Sequence, residues 1–148
     1  MIKLGKLTDY AIVVMTQLAR EGAEASRSAH YLAEKTGVSL PTVAKVLKAL
    51  TKENFVTSTR GTTGGYKLTR PAGQISLAEI ITALDGPITI VSCVEGSTQE
   101  CKTQDTCPAK GNWERVNHVI RDALESVKLT ELAVTHCHAP YNFMKDAV

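Results

Sequence analysis

Apolar residues recur at helical spacing along most of this chain, interrupted once by a pair of short β-branched runs. Ala11, Ile12, Met15, Leu18 and Ala19 share one helical face and predict a first helix from a Thr8 cap to about Arg20. Glu21 to Arg27 is polar and reads as a linker. Ser28 then opens a second helix through Leu32 and Ala33, and Gly37 supplies its C-terminal glycine. Val38-Ser39-Leu40 makes a turn, and Pro41 sits in the first turn of a third helix, where its missing N–H costs nothing. Val43, Val46, Leu47 and Leu50 are the buried face of that helix.

Helix, glycine-containing turn and helix form the helix-turn-helix pattern, whose second helix lies in the major groove with its N-terminal residues nearest the bases. Ser39, Pro41, Thr42, Lys45 and Lys48 fall largely opposite the apolar positions and are the expected DNA contacts. Phe55 to Thr59 and Tyr66 to Thr69 then read as two strands joined by Arg60-Gly61-Thr62-Thr63-Gly64-Gly65. This hairpin is expected to act as a wing. Arg60 suits a narrow minor groove, and Gly64 and Gly65 permit close approach to a nucleic-acid backbone.

Pro71-Ala72-Gly73 breaks the chain, and Ser76-Leu77-Ala78-Glu79 has the form of a capping box, opening a short helix that ends near Gly86-Pro87. Val91 to Lys110 is irregular and polar. From Gly111 to Lys128 apolar residues return at Trp113, Val116, Val119, Ile120, Ala123, Leu124 and Val127. That is an amphipathic helix of roughly 25 Å, and so small a chain has little core to cover its stripe. The expected fold is mainly α with a small β-hairpin wing: a winged helix-turn-helix plus a long dimerisation helix that packs against a second copy. The expected division is 1–87 for DNA binding, 88–110 for a cysteine loop, 111–133 for the dimerisation helix and a short helix, and 134–148 for a tail.

Charge sharpens this picture. Residues 1–70 carry eleven Lys and Arg against five Asp and Glu, whereas residues 71–148 carry six against ten. The N-terminal half therefore suits phosphate, and the acidic half does not. No apolar run reaches the length of a membrane span, and Met1 to Lys6 lacks the apolar core of a signal peptide. A cytoplasmic protein without a membrane partner is expected. No nucleophile elbow, phosphate loop or zinc-hydrolase motif is present, so an enzyme is not.

The remaining chemistry lies in Cys93, Cys101 and Cys107, separated by seven and then five residues. Structural zinc usually takes closely paired cysteines. Wider gaps suit a larger object held by a wrapped loop, such as an iron–sulfur cluster, although reactive thiols or zinc with a ligand from elsewhere also fit. Cys137 lies far along the chain between His136 and His138, in a polar tail.

These residues resemble the Rrf2 family of bacterial winged-helix regulators, which includes the IscR-type and NsrR-type proteins. The likeness rests on Lys6-Leu7-Thr8-Asp9-Tyr10-Ala11, on Thr59-Arg60-Gly61 with Gly64-Gly65-Tyr66, on Ile75 to Ile81, and on the three-cysteine loop. It covers residues 1 to about 133. Asp85-Gly86-Pro87-Ile88, Trp113 to Asn117 and Ala123-Leu124-Glu125 look most like the branch that controls the SUF system of iron–sulfur cluster assembly. The resemblance implies a homodimer on an operator with dyad symmetry, with one cluster, 2Fe–2S or 4Fe–4S, on each subunit. Cys93, Cys101 and Cys107 match the family's three cysteine ligands, with a longer first gap than is common. The histidine that follows the third cysteine in the IscR-type pattern is Lys110 here. In the NsrR-type pattern an aspartate of the first helix completes the set across the dimer, and Asp9 stands at that position. Asp9 also suits a first-turn acid on the helix dipole. The resemblance further implies repression of cluster-assembly genes, with nitric oxide sensing or a cluster-free thiol or zinc regulator as the alternatives.

Overall fold

The computed structural model describes residues 3–61, 64–103, 105–109 and 111–134. Helix α1 (Lys6–Glu21) is followed by α2 (Ala29–Thr36) and α3 (Leu40–Lys52). Strands β1 (Val56–Thr59) and β2 (Gly65–Leu68) pair antiparallel, with Val56 opposite Leu68 and Thr59 opposite Gly65. A 3₁₀ turn (Ala72–Gln74), α4 (Leu77–Asp85), α5 (Asn112–Ser126) and α6 (Leu129–Ala133) complete the described chain.

Local signals set most of the helix ends. Ser28 Oγ accepts from the Tyr31 N–H, and Gly37 takes a left-handed φ of 72°, so α2 begins and stops where its punctuation residues lie. Ser76 and Glu79 cap each other's backbone at the start of α4, as the capping box predicts. At the end of α3, Asn54 takes a positive φ of 59°, and the Phe55 N–H donates to the Leu50 carbonyl. That reversal turns Phe55 and Val56 into the core at the entry to the wing.

Helix α1 departs from its expected start. It begins at Lys6, and Thr8 lies fully buried within its first turn rather than capping it. The cap comes from far along the chain: Asp85, the last residue of α4, accepts from the Gly5 N–H at 2.9 Å and from the Thr8 hydroxyl at 2.7 Å. A carboxylate at a helix N-terminus satisfies an orphan donor and complements the helix dipole.

The core joins Ala11, Val14, Met15 and Leu18 of α1 to Leu32 of α2 and to Val43, Val46, Leu47 and Leu50 of α3. The inward face of α3 is thus the one its periodicity predicts. Leu129 of α6 is also fully buried in this cluster, and α6 packs on α1. Backbone bonds from Leu77 N–H to Val127 O and from Leu129 N–H to Ile75 O lace the end of α5 to the start of α4. The chain therefore leaves the winged helix after Asp85 and returns to it at Val127. Among the described residues, no helix is long and apolar enough to cross a membrane.

Candidate nucleic-acid interface and thiol loop

On α3 the outward residues are Leu40, Pro41, Ala44, Lys45 and Lys48, all exposed, with Thr42 half-buried. Ser39 precedes the helix, is exposed, and makes no side-chain cap. Its hydroxyl instead lies 2.8 Å from the Thr42 hydroxyl. The first N–H groups of α3 are thereby left without a side-chain partner, the arrangement that suits an anionic oxygen. Of the expected contacts, Pro41, Lys45 and Lys48 share one outward face, while Ser39 and Thr42 engage each other beside it.

The wing is held by more than its two strands. Arg27, within the stretch read as a linker, forms a bridge with Tyr66: its N–H donates to the Tyr66 carbonyl at 3.0 Å, and its carbonyl accepts from the Tyr66 N–H at 2.8 Å. The Arg27 guanidinium reaches back to Glu21 at 2.8 Å and lies over the Tyr31 ring. Glu21 also accepts from the Tyr31 hydroxyl at 2.8 Å. That hydroxyl, with support from Arg27 and Gln17, holds the Glu21 carboxyl below its ordinary range. The side-chain contacts join α1 to α2, and only the Arg27 backbone ties them to the wing at Tyr66, a pairing that hydrophobic periodicity does not signal.

The network also gives Gly65 a structural duty. A Cβ there would lie 2.6 Å from the Arg27 carbonyl carbon. At Gly64 a Cβ would collide with backbone atoms of the wing's own turn. Both glycines are therefore required by close backbone approach inside the protein. Arg60 is exposed just beyond β1.

Asp9 is exposed on the first turn of α1. It lines a cleft of about 430 Å³ together with Tyr10, Gly37, Val38, Ser39 and Thr42. Asp9 therefore shares this cleft with the turn that leads into α3. The Asp85–Thr8 bond fixes the backbone next to Asp9 from the opposite side.

Cys93, Cys101 and Cys107 are free, half-buried thiols on the loop between α4 and α5. The Thr103 hydroxyl lies 3.6 Å from Cys101 Sγ. Thr103, through its hydroxyl and backbone, and to a lesser degree Cys93, lower the Cys101 thiol below its usual range. A thiolate is the ligating and nucleophilic form. Among the described residues, no three His, Cys, Asp or Glu side chains are gathered closely enough to hold a metal ion. Cys93 lies near enough to act on the Cys101 thiol. The donor chemistry fits iron and sulfide, since three undisulfided, partly water-shielded thiols are the ligand type such a cluster takes. Lys110 and Cys137, with His136 and His138, lie outside the described residues.

Helix α5 grips this loop on both sides of Cys93. Asn117, only 1% exposed, donates from Nδ2 to the Ile88 carbonyl at 3.0 Å and accepts at Oδ1 from the Ile90 N–H at 3.2 Å. One turn earlier, Glu114 Oε2 accepts from the Glu95 N–H at 3.1 Å. Three hydrogen bonds therefore join α5 to the segments on either side of Cys93. Beside this gripping face, α5 shows Trp113, Val116 and Val119 to solvent, the last at 55% exposure. Its apolar stripe is only partly covered by its own chain, through Ile120, Ala123 and Leu124.

A profile of the Rrf2 family, described as iron-dependent transcriptional regulators, matches residues 4–135. The chain is 32% identical over 123 residues to the HTH-type transcriptional regulator IscR of Xenorhabdus nematophila, spanning 83% of this chain and 74% of that protein. It is 30% identical over 123 residues to the regulator NsrR of Oceanobacillus iheyensis, covering 83% and 79% of the two chains. Among solved structures, CymR (YrzC), the global cysteine regulator of B. subtilis, superposes with a TM-score of 0.75 at 28% identity, covering 90% of this chain and 97% of the other. IscR of T. potens superposes with a TM-score of 0.67 at 29% identity, covering 88% and 85%. These proteins are transcription regulators rather than enzymes, and they share the winged-helix architecture described above. The chain belongs to the Rrf2 family of transcription regulators.

Proposed function

We propose that this protein is a homodimeric, iron–sulfur cluster-dependent DNA-binding regulator, a repressor of iron–sulfur cluster assembly genes. The observation that carries the reading is the trio of free, half-buried thiols on a loop that α5 clamps at Ile88, Ile90 and Glu95. Cys93, Cys101 and Cys107 would hold the cluster, and Asp9 of a second copy would complete its ligands. When bound, a cluster supplies oxidisable iron with a charge that changes with redox state. The protein's own residues do the rest. Glu114 and Asn117 transmit the position of the loop to α5. The uncovered stripe of α5 carries it to the second subunit. Asp9 shares a cleft with Ser39 and Thr42, and so delivers it to the start of α3.

Two recognition helices on one DNA face must sit about one helical turn, ~34 Å, apart. A tenfold change in operator occupancy needs only ~1.4 kcal/mol of differential binding, which one ligand bond present in a single state exceeds. Pro41, Lys45 and Lys48 of α3, with Ser39 and Thr42 at its start, would meet the major groove. Arg60 would reach the minor groove, with Gly64 and Gly65 shaping the loop that presents it.

Protein purified without oxygen is expected to be coloured and to contain iron and acid-labile sulfide. Stoichiometric zinc without sulfide would refute the cluster. Asp9→Ala should shorten the life of the cluster or change its spectrum, and an unchanged spectrum and lifetime would remove Asp9 from the ligand set. Release of DNA by nitric oxide but not by cluster oxidation would reassign the signal.

A second reading has its own support. Cys93 acts on the Cys101 thiol, which is held below its usual range, and the CymR neighbours include an oxidised form from Staphylococcus aureus at 26% identity and a TM-score of 0.69. A cluster-free thiol regulator would be colourless, and peroxide treatment of the metal-free protein would change its operator affinity.

A further inference from the structure

We propose that α3 reads thymine: it recognises the 5-methyl groups of T·A pairs through Leu40, Pro41 and Ala44, rather than purine edges through hydrogen bonds. The inference rests on the reading of α3 as the recognition helix and goes beyond it to the class of base that specifies the operator.

The argument begins with what α3 lacks. Its thirteen residues, LPTVAKVLKALTK, contain no Arg, Asn, Gln, Asp or Glu. Together with Lys, those are the side chains that pair with guanine, adenine and cytosine edges in the major groove. The Thr42 hydroxyl is half-buried and engaged with Ser39. Lys45 and Lys48 remain as donors, and they begin one turn into the helix, where phosphates flank the groove.

The first turn of the outward face is instead apolar. Leu40 is 43% exposed. Ala44 lies one turn further on the same side, and Pro41 stands in the middle of the face, above Lys45 and Lys48. A single exposed leucine on a protein surface ordinarily calls for no explanation. This one occupies the end of the helix that lies against the bases in a winged helix, beside two further residues with no side-chain hydrogen-bonding group. In B-DNA the apolar feature of the major groove is the C5 methyl of thymine, and it distinguishes T·A from the other pairs. Ala44 adds no bulk to hold the helix away from the groove floor. Lys45 and Lys48 add sequence-independent affinity for phosphate.

The test uses the full-length protein, prepared without oxygen, and an operator selected by that protein from random-sequence duplexes. Each thymine in the selected half-site is replaced by deoxyuridine, which removes only the methyl. Affinity is expected to fall about fourfold for each contacted methyl, the equivalent of ~0.8 kcal/mol, and to be unchanged by uracil outside the half-sites. Exchanging a contacted T·A pair for C·G should weaken binding, and 5-methylcytosine in place of that cytosine should restore part of the loss. In the Leu40→Ala variant, whose side chain is exposed and whose fold should be intact, the uracil penalty at the matching position should vanish. A specific operator that binds equally well with uracil at every position overturns the proposal and leaves α3 as a recognition helix. A full uracil penalty retained by the Leu40→Ala variant overturns the assignment to Leu40. Failure to enrich any sequence overturns the recognition-helix reading as well.

Discussion

Replacing Asn117 with alanine tests whether α5 and the cysteine loop form one mechanical unit. The asparagine amide satisfies the Ile88 carbonyl and the Ile90 N–H from a site of 1% exposure. Alanine leaves both backbone groups unpaired. A fully buried orphan costs ~1–3 kcal/mol, and Ile88 and Ile90 are half-buried, so water reaches them in part. The lower end of that range, taken twice, with a contribution from lost side-chain packing, gives a destabilisation of about 2–3 kcal/mol. For a chain of this size each kcal/mol lowers Tm by ~2–4 °C, so a fall of roughly 4–12 °C is expected. The measurement is thermal and urea unfolding of metal-free protein at one fixed concentration, because ligand binding and dimerisation both shift apparent stability. Asn117→Asp sharpens the test. It keeps the acceptor for Ile90 but sets a carboxylate oxygen against the Ile88 carbonyl, so its deficit should shrink in mild acid as the carboxylate is protonated. A change below about 0.5 kcal/mol in the alanine variant, the size of an ordinary surface substitution, would refute the clamp.

Three further outcomes are expected. Gly65→Ala should displace the wing from Arg27, because its Cβ would lie 2.6 Å from that residue's backbone; operator affinity should drop at least tenfold while the helical circular dichroism persists, and unaltered binding would show that the wing tolerates the shift. Val119→Glu should yield monomers in sedimentation, since Val119 is 55% exposed on the α5 stripe; an unchanged oligomeric state would place the subunit contact elsewhere. Glu79 should contribute to acid stability. Desolvation pushes its carboxyl up, but the Ser76 N–H and the Arg70 guanidinium outweigh it and hold the group below its ordinary 4.5. Its stabilising contribution should be complete above about that value and be lost as pH falls through the lower folded value; Glu79→Gln should flatten this part of the pH–stability curve, and an identical acid limb in both proteins would contradict the assignment.

The winged helix was legible in the sequence because its determinants are local. Ser28 and Gly37 mark the ends of α2, Ser76 and Glu79 cap α4, and the four apolar positions of α3 repeat at helical spacing. Each of these acts on its own neighbours, so short-range chemistry suffices to read them. The outward side of α3 followed as the complement of its buried side. The three cysteines of one loop were visible by their spacing, while among the described residues no three metal-ligating side chains are gathered there.

Tertiary structure decided the rest, wherever one residue's role depends on a distant backbone. Thr8 reads as a helix cap, but Asp85 reaches the same helix end from far along the chain and takes that role, leaving Thr8 buried as its donor. Arg27 reads as linker until Tyr66 arrives to pair with it, and only then does Gly65 become obligatory. Asn117 has no signature in an amphipathic pattern, because its partners are backbone groups of an irregular segment with no period of its own. Hydrophobic periodicity reports which face of an element is inward. It carries no information about which polar groups meet once those faces have closed, and in this protein those meetings tie α1 to the end of α4, Arg27 to the wing and α5 to the cysteine loop.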